Sequence, residues 1–583
     1  MTPDFFFSQH QGASPLLAFT RPVTLFAAFL VVTCFLSAVR RHRKKLAFLD
    51  IPGPPCPSYL TGNFLQVFDH ISGIQFREHI RQTYGTVSKI SGPLGEQDLV
   101  ISDPMALSYI LKSQDQFDET EWFLAVFRHA FGPCLVSSTG ALHRRQRKIL
   151  NPVFSTQRVR SMTPLFHKIT NQVFTLYQCR QMLWLTYLVQ LRDILQAKVA
   201  NGPQDIDIMA WLGPLALEMI AQSGLGHTFD SFNPQAKDSE FRVAIKEFAP
   251  AMGRLFMFRT IFPFISKLSS KILRFGAACL PLANVHHAIR VASTMHSCAK
   301  HLLETKKAML TVADAQVADQ ISGGKDIIGV LMKTNIDAPE EFKMHDDEII
   351  AQMLAYTSST LLSGGTDPTS TAMSHILLLL AQHQDVQEKL RHELNLAVAN
   401  AGGDELGYED LTALTYLDAI CRETLRLHPP ANFIARLCRA DTTIPLSEPI
   451  PSAAAAGCSL FVPRGTIIFI DVINVNREQS IWGADSRTWK PERRTAPLPD
   501  SVADARIPGV YSNTLTFLGG GRACIGLKLA ELEMKVMLSQ FIRSFRFYPS
   551  ETEVVWRYGP ITTPSVKGST GVSPNMPIVL EKI

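Results

Sequence analysis

Ten residues near the carboxyl-terminal end restrict the backbone more than any other stretch: Phe517-Leu518-Gly519-Gly520-Gly521-Arg522-Ala523-Cys524-Ile525-Gly526. Three consecutive glycines let the chain take positive φ and come close to a flat ligand. The run Leu527–Lys535 has helical spacing, so Cys524 falls at the mouth of a helix, where unpaired N–H groups and the positive dipole end favour a thiolate. Arg522, two residues away, supplies a fixed cation suited to a carboxylate. A thiolate presented this way is a metal ligand or a nucleophile. With no histidine base nearby and an apolar chain around it, the ligand reading is the better one.

At the other end, Pro22 to Val39 is an 18-residue run without charge. As a helix it spans about 27 Å, close to the hydrocarbon thickness of an endoplasmic reticulum bilayer. Five basic residues follow, Arg40, Arg41, Arg43, Lys44 and Lys45. Positive charge is retained on the cytoplasmic side, which places the amino terminus in the lumen and the body in the cytosol. A cleaved signal peptide is the alternative, but its basic residues would precede the apolar run, and no small-x-small cleavage site is present. Ile51-Pro52-Gly53-Pro54-Pro55 reads as a stiff, extended spacer. The expected organisation is a lumenal stretch 1–21, a single transmembrane helix 22–39, a basic stop and Pro-rich hinge 40–55, and one large domain 56–583.

The net charge of +5 equals the charge of that basic run, so the remainder sums to zero. A nucleic-acid partner requires a basic face, and none is expected. The chain has 583 residues, 46% of them apolar, with 35 Phe against 11 Tyr and 6 Trp, enough for a large greasy core. Its ten cysteines form no C-x-x-C pair and are too dilute for a disulfide framework or a zinc ribbon. Most of them read as small, reduced core residues. Apolar periodicity predicts helices over 143–172, 205–225, 284–310, 344–384 and 409–427, with β-type runs near 86–90, 97–101 and 459–474. The fold class is mainly α with small β-sheets, in one body.

The pattern Phe517-x-x-Gly520-x-Arg522-x-Cys524-x-Gly526 matches, at every fixed position, the haem-binding signature of the cytochrome P450 family. The chain resembles a microsomal-type, fungal member of that family. By that resemblance the fold is a P450 fold behind a membrane anchor, Cys524 is the proximal thiolate ligand of haem b iron, Phe517 packs by the sulfur, and Arg522 binds a haem propionate. Thiolate ligation pushes electron density toward dioxygen and favours O–O cleavage. Glu423-Thr424-Leu425-Arg426 and Pro491-Glu492-Arg493-Arg494 look like the family's E-x-x-R helix and its later Pro-Glu-Arg segment. The resemblance implies that Glu423, Arg426 and Arg493 form a structural charge cluster that supports the haem face. His143-Arg144-Arg145-Gln146-Arg147 occupies the place of a W-x-x-x-R helix, so Arg147 keeps the propionate cation while His143 replaces tryptophan. Arg436 fits a further propionate contact, or a surface arginine.

One motif departs from the pattern. Where the family carries A-G-x-[D/E]-T-[T/S], this chain has Gly364-Gly365-Thr366-Asp367-Pro368-Thr369. Proline stands at the alcohol position that ordinarily helps move protons to dioxygen. It also removes an N–H and leaves the Gly364 carbonyl without its helix partner. Helix breaks of this kind admit water. The expected relay is a water on the Gly364 carbonyl acting with Thr366 or Thr369 and Asp367 beside Gly365. A kink that only shapes the pocket is the alternative.

No dinucleotide or phosphate cradle occurs, so electrons must come from another protein. For an anchored family member this implies an NADPH–cytochrome P450 reductase, with cytochrome b5 as an optional second donor. Arg144, Arg145, Lys148, Lys528 and Lys535 are candidates for the docking face. By analogy the substrate pocket draws on 122–131, 356–364, 432–434 and 558–563, apolar stretches that suit a lipophilic small molecule such as a terpenoid secondary metabolite. Residues 173–189 interrupt a helical pattern and would correspond to 51 nucleotides, which suggests a retained intron or a membrane-facing insertion. Overall the chain is expected to be a haem-thiolate monooxygenase. Its rivals are a haem-thiolate isomerase or dehydratase that uses no dioxygen, and a non-catalytic haem-binding membrane protein.

Overall fold

The computed structural model describes residues 39–171, 195–196, 198–229, 240–254, 276, 282–312, 326–337, 339–359, 368–452, 457–569, 571 and 573–583. Gly364, Gly365, Thr366, Asp367, the segment 173–189 and all but Val39 of the run 22–39 lie outside them. Among the described residues no helix is long and apolar enough to cross a membrane.

At the centre lies the helix Leu527–Ser544 that follows the glycine-rich loop. Apolar residues occur all round its second half, and Val536, Met537, Leu538, Phe541 and Ile542 are all buried. A helix without a polar face must be enclosed by others. It is packed by the helices Thr156–Asn171, Pro368–Gln382, Gln384–Ala401 and Thr415–Leu427. The largest sheet lies to one side, with strands in the order Val87–Ser91, Gln97–Ile101, Ile467–Asp471, Phe433–Cys438 and Phe117–Asp118. Its neighbours are antiparallel except Gln97–Ile101 and Ile467–Asp471, which run parallel with Val100 opposite Phe469. A three-stranded sheet, Gln204–Asp207, Pro577–Lys582 and Phe545–Pro549, and two hairpins complete a mainly helical body with small sheets.

The periodicity located the elements better than their ends. The stretch 143–172 is one helix, Gly140–Leu150, then a short 3-10 turn Asn151–Phe154, then a second helix Thr156–Asn171. The break falls at Pro152, which has no N–H to continue a helix. The stretch 205–225 opens as a strand, because Gln204–Asp207 pairs with Pro577–Lys582 before the helix Met209–Ile220 begins. The stretch 459–474 is two strands around Pro463–Thr466. Gly465 there takes φ +85°, a backbone angle that side-chain-bearing residues rarely adopt.

The segment 40–55 is packed onto the body. Lys44 is 1% exposed, with Nζ 2.8 Å from Glu96 and 3.6 Å from Asp98. Phe48 and Ile51, 1% and 3% exposed, belong to the apolar cluster behind the large sheet. The Pro52 carbonyl accepts from Lys89 N at 2.8 Å, and a Cβ on Gly53 would lie 2.0 Å from the Lys89 carbonyl oxygen. Hydrophobic burial and one buried ion pair therefore fix the chain from Lys44 onward. Removing one partner of such a pair strands the other charge. Lys44→Ala should lower unfolding stability by about 3 kcal/mol, seen as a lower melting temperature at unchanged haem content.

Candidate functional site

The loop that carries Cys524 is tied at both ends. Cys524 N donates to the Phe517 carbonyl at 2.9 Å and Ala523 N to the Gly520 carbonyl at 3.2 Å. Gly520 has φ +66°, and a Cβ there would lie 2.0 Å from the Leu111 carbonyl oxygen; one on Gly519 would lie 1.9 Å from that of Pro508. These glycines are required by the neighbouring backbone, which braces the loop. A Cβ on Gly526, by contrast, would meet nothing within 4 Å. Phe517 meets the Tyr511 ring edge-on at 5.1 Å.

Cys524 is exposed to a water-sized probe. Burial is nevertheless the first cause that pushes its thiol up, ahead of the opposing Gly526 N–H and the Arg147 guanidinium. Both hold for a side chain that lines an opening within the body. The expectation that the helix mouth favours the thiolate is thus outweighed, because Cys524 precedes the Gly526 cap and the desolvation cost is larger. A bound metal ion would reverse that balance, since a coordinating thiol is deprotonated outright.

Four groups expected to meet haem propionates gather nearby. Arg147 Nη1 donates to the Ala523 carbonyl at 2.7 Å. Arg522 donates to the carbonyls of Ser138 at 2.7 Å and Leu135 at 3.2 Å, and pairs with Asp118 at 2.7 Å. Arg436 is a buried strand residue, not a surface one, and pairs with Glu119 at 3.0 Å. His143 is buried one turn before Arg147; burial first, then Arg522 and Arg147, push its pKa down to about 4. It is a neutral imidazole at physiological pH. His143, Arg147 and Gly521 line one open groove of about 490 Å³. A thiol, glycine-backed space and convergent cations fit an iron porphyrin with two carboxylates.

Glu423 and Arg426 are fully buried and bidentate, at 3.0 and 2.7 Å. Arg426 also donates to the carbonyls of Asn476 at 2.9 Å and Ser486 at 2.6 Å. Arg493 Nε lies 3.1 Å from Glu423 and its Nη1 2.8 Å from Asp485. Arg494, which the sequence did not single out, approaches Glu423 at 3.6 Å. Arg426 and Arg494 both lie over the Trp482 ring, at 4.9 and 4.7 Å.

The family model for cytochrome P450 matches residues 184–570. The chain belongs to the cytochrome P450 family. It is 39% identical over 543 residues to a cytochrome P450 monooxygenase of Postia placenta, covering 92% of this chain and 94% of that one. It is 36% identical over 531 residues to a ganoderic acid synthetase of Ganoderma lucidum, covering 89% and 92%. A P450 monooxygenase of Hericium erinaceus is 32% identical over 552 residues, covering 93% and 95%.

In this P450 the described part of the helix at the departing motif runs Pro368–Gln382. Gly365, Thr366 and Asp367 lie outside the described residues. Thr369 is described, and its hydroxyl donates to Glu533 Oε2 at 3.0 Å in a buried contact. Glu533, 2% exposed on the helix after Cys524, is a functional candidate that the sequence reading missed. Its signal was a carboxylate one residue from Leu532 and three from Val536, where the helix turns apolar on every side.

Three of the expected docking cations pair with carboxylates, Arg144 with Asp115 at 3.1 Å on the surface. Arg145 pairs with Glu348, and Lys535, 5% exposed, pairs with Asp418 at 2.8 Å. Arg144, Lys148 and Lys528 remain exposed on the surface. Of the expected pocket stretches, 432–434 and 558–563 meet through Asn432 Nδ2 and Thr562 Oγ1 at 2.7 Å. They also enclose Arg77, a buried guanidinium 4.4 Å from the Phe433 ring centre and 4.3 Å from that of Tyr558. On the helix Glu121–Phe131, Phe127 and Phe131 are core residues, with Phe131 4.7 Å from Phe248. The side chains of 356–359 and the residues 360–364 lie outside the description.

Glu423→Ala would strand Arg426 and Arg494 in the core. The expected cost is about 3–5 kcal/mol, measured by denaturant unfolding together with a fall in haem-loaded yield.

Proposed function

We propose that this P450 monooxygenase acts from the endoplasmic reticulum membrane on a lipophilic small molecule of the terpenoid class, with electrons from an NADPH-dependent reductase. Cys524 carries the reading: it is a sulfur on a braced loop, open to an approaching ligand and beside Arg147. In it Cys524 is the axial ligand, Arg147, Arg436 and Arg522 hold the haem propionates, and His143 donates a neutral N–H to one of them. Glu423, Arg426, Arg493 and Arg494 keep the loop's support in place. Bound haem supplies the redox chemistry that splits dioxygen and oxidises substrate.

The substrate class rests on two supports. The relative from Ganoderma lucidum is named for ganoderic acid, a terpenoid. The stretches assigned to the pocket are largely apolar, with Asn432 and Thr562 as buried polar exceptions, and Arg77 beside them lies against the Phe433 and Tyr558 rings and donates to Asn432 Oδ1 at 2.9 Å. The membrane reading rests on the uncharged run 22–39 and the basic residues after it. The exposed Arg144, Lys148 and Lys528 form the reductase docking face in this reading. Full-length protein should sediment with microsomes and turn over only with reductase present.

Replacing the sulfur is the most direct test. Cys524→Ser should abolish product and remove the thiolate-specific absorption of the reduced, carbon-monoxide-bound protein. Retention of both would end this reading. Feeding a terpenoid-rich metabolite extract to reductase-coupled protein, with products followed by mass spectrometry, tests the substrate class.

Pro368 motivates a second reading, turnover without dioxygen. A P450 of that kind would convert substrate in anaerobic buffer without NADPH. In the monooxygenase reading Asp367 works with a water, while Thr369 is held by Glu533. Pro368→Thr should then raise the yield of product per NADPH consumed, and Asp367→Asn should lower it, both read as coupling stoichiometry.

A further inference from the structure

Asp118 and Glu119 stand in succession where the short strand Phe117–Asp118 ends. Each is paired to an arginine assigned above to a haem propionate. Arg522 lies 2.7 Å from Asp118, with side chains 10% and 7% exposed. Arg436 lies 3.0 Å from Glu119, with side chains 3% and 15% exposed. Arg147 differs, because its hydrogen-bond partners are neutral: Asn151 Oδ1 at 3.0 Å and the Ala523 carbonyl at 2.7 Å.

The carboxylates are not needed to aim the guanidinium groups. Arg522 is already oriented by the carbonyls of Ser138 at 2.7 Å and Leu135 at 3.2 Å, and Arg436 by that of Ala435 at 2.8 Å. What Asp118 and Glu119 add is charge. They cancel two of the three arginines assigned to the propionates, so of that set only Arg147 stays uncompensated; Lys148 lines the same groove as Arg147 from the exposed surface. His143, which lines one small cavity with Asp118 and Arg522, adds no cation, since burial and the neighbouring Arg522, Arg147 and Arg144 keep it neutral. In a poorly screened interior such an imbalance acts over several ångströms. A negative excess disfavours adding an electron nearby.

We infer that Asp118 and Glu119 are charge-tuning residues: by neutralising Arg522 and Arg436 they leave the haem propionates under-compensated and hold the iron's reduction potential low. The step concerned is the transfer of one electron from an external donor to ferric iron, giving ferrous iron with no bond made or broken. The inference rests on the assignment of Arg436 and Arg522 to the propionates.

The test uses full-length holoenzyme and a spectroelectrochemical titration with dithionite as reductant. Asp118→Asn and Glu119→Gln keep shape and hydrogen-bonding oxygen while removing charge. Each should raise the midpoint potential, and the double variant should raise it further. Asp118→Glu, which restores the charge, should return it toward the parent value. The same neutral variants should release haem to apomyoglobin more slowly than the parent. An unchanged or lower potential in the double variant, with the thiolate band intact, overturns the inference. So does faster haem release, which would mean that the carboxylates aim the arginines. If Asp118→Asn fails to load haem, the more exposed Glu119→Gln still decides the sign. Arg522→Gln and Arg436→Gln separate the two levels: if neither changes potential or haem release, the propionate assignment itself falls.

Discussion

The bond from Cys524 N to the Phe517 carbonyl, 2.9 Å long, closes the loop that presents the sulfur, and the surrounding packing makes that closure rigid. The closed loop fits only because Gly519 and Gly520 let it lie against the carbonyls of Pro508 and Leu111 at distances no Cβ would permit. Each of those carbonyls belongs to a segment anchored in turn. Leu111 ends the helix Pro104–Lys112, whose cap Asp103 accepts from Ala106 N and Ser447 N. A sulfur proposed to bind a metal cannot be left on a free loop. Here backbone meeting backbone fixes it, which side-chain packing alone would do less sharply.

The parts legible in the sequence were those where chemistry requires one residue type at one spacing. The resemblance pointed to the cluster of Glu423, Arg426 and Arg493, which an i, i+3 pair alone would not single out, and the structure brings these three together; the glycines before Cys524 were legible through the backbone freedom they supply. The helices were legible through their apolar period, and the strands Val87–Ser91 and Gln97–Ile101 through their short β-type runs. Boundaries were less so. Pro152 cut a helix that the periodicity carried straight through, and Gln204–Asp207 became a strand only because Pro577–Lys582 lies beside it, more than 300 residues away.

What the sequence hid was mostly burial of charge. Lys44 read as one of five solvated cations, yet it is enclosed by Glu96 and Asp98. Lys535 and Arg145 read as docking residues, yet both meet carboxylates from other helices. Glu533 read as a helix carboxylate of no note, yet it reaches Thr369 across the core. An ionisable side chain is expensive to bury alone and affordable when paired, and pairing across long sequence separation leaves no local pattern. Arg77 is the same lesson with aromatic faces in place of a carboxylate.

The paired charges also differ in sense from place to place. In the structural charge cluster Glu423 and Asp485 face Arg426, Arg493 and Arg494, with Lys490 3.5 Å from Asp485, so positive charge is in excess there, and Arg426 and Arg494 both lie over the Trp482 ring. Around the arginines proposed for the propionates, Asp118 and Glu119 pair with Arg522 and Arg436, while Arg147 beside Cys524 has no carboxylate partner among the described residues, and in the proposed arrangement it is the main local cation. The first arrangement suits folding, where an excess of donors is absorbed by backbone carbonyls and one lost partner is costly. The second suits control, because a neutral pair still orients a hydrogen bond while contributing little long-range field. A single cation next to the sulfur then carries most of the local potential, and that potential can be changed by small alterations at two carboxylates without disturbing the loop.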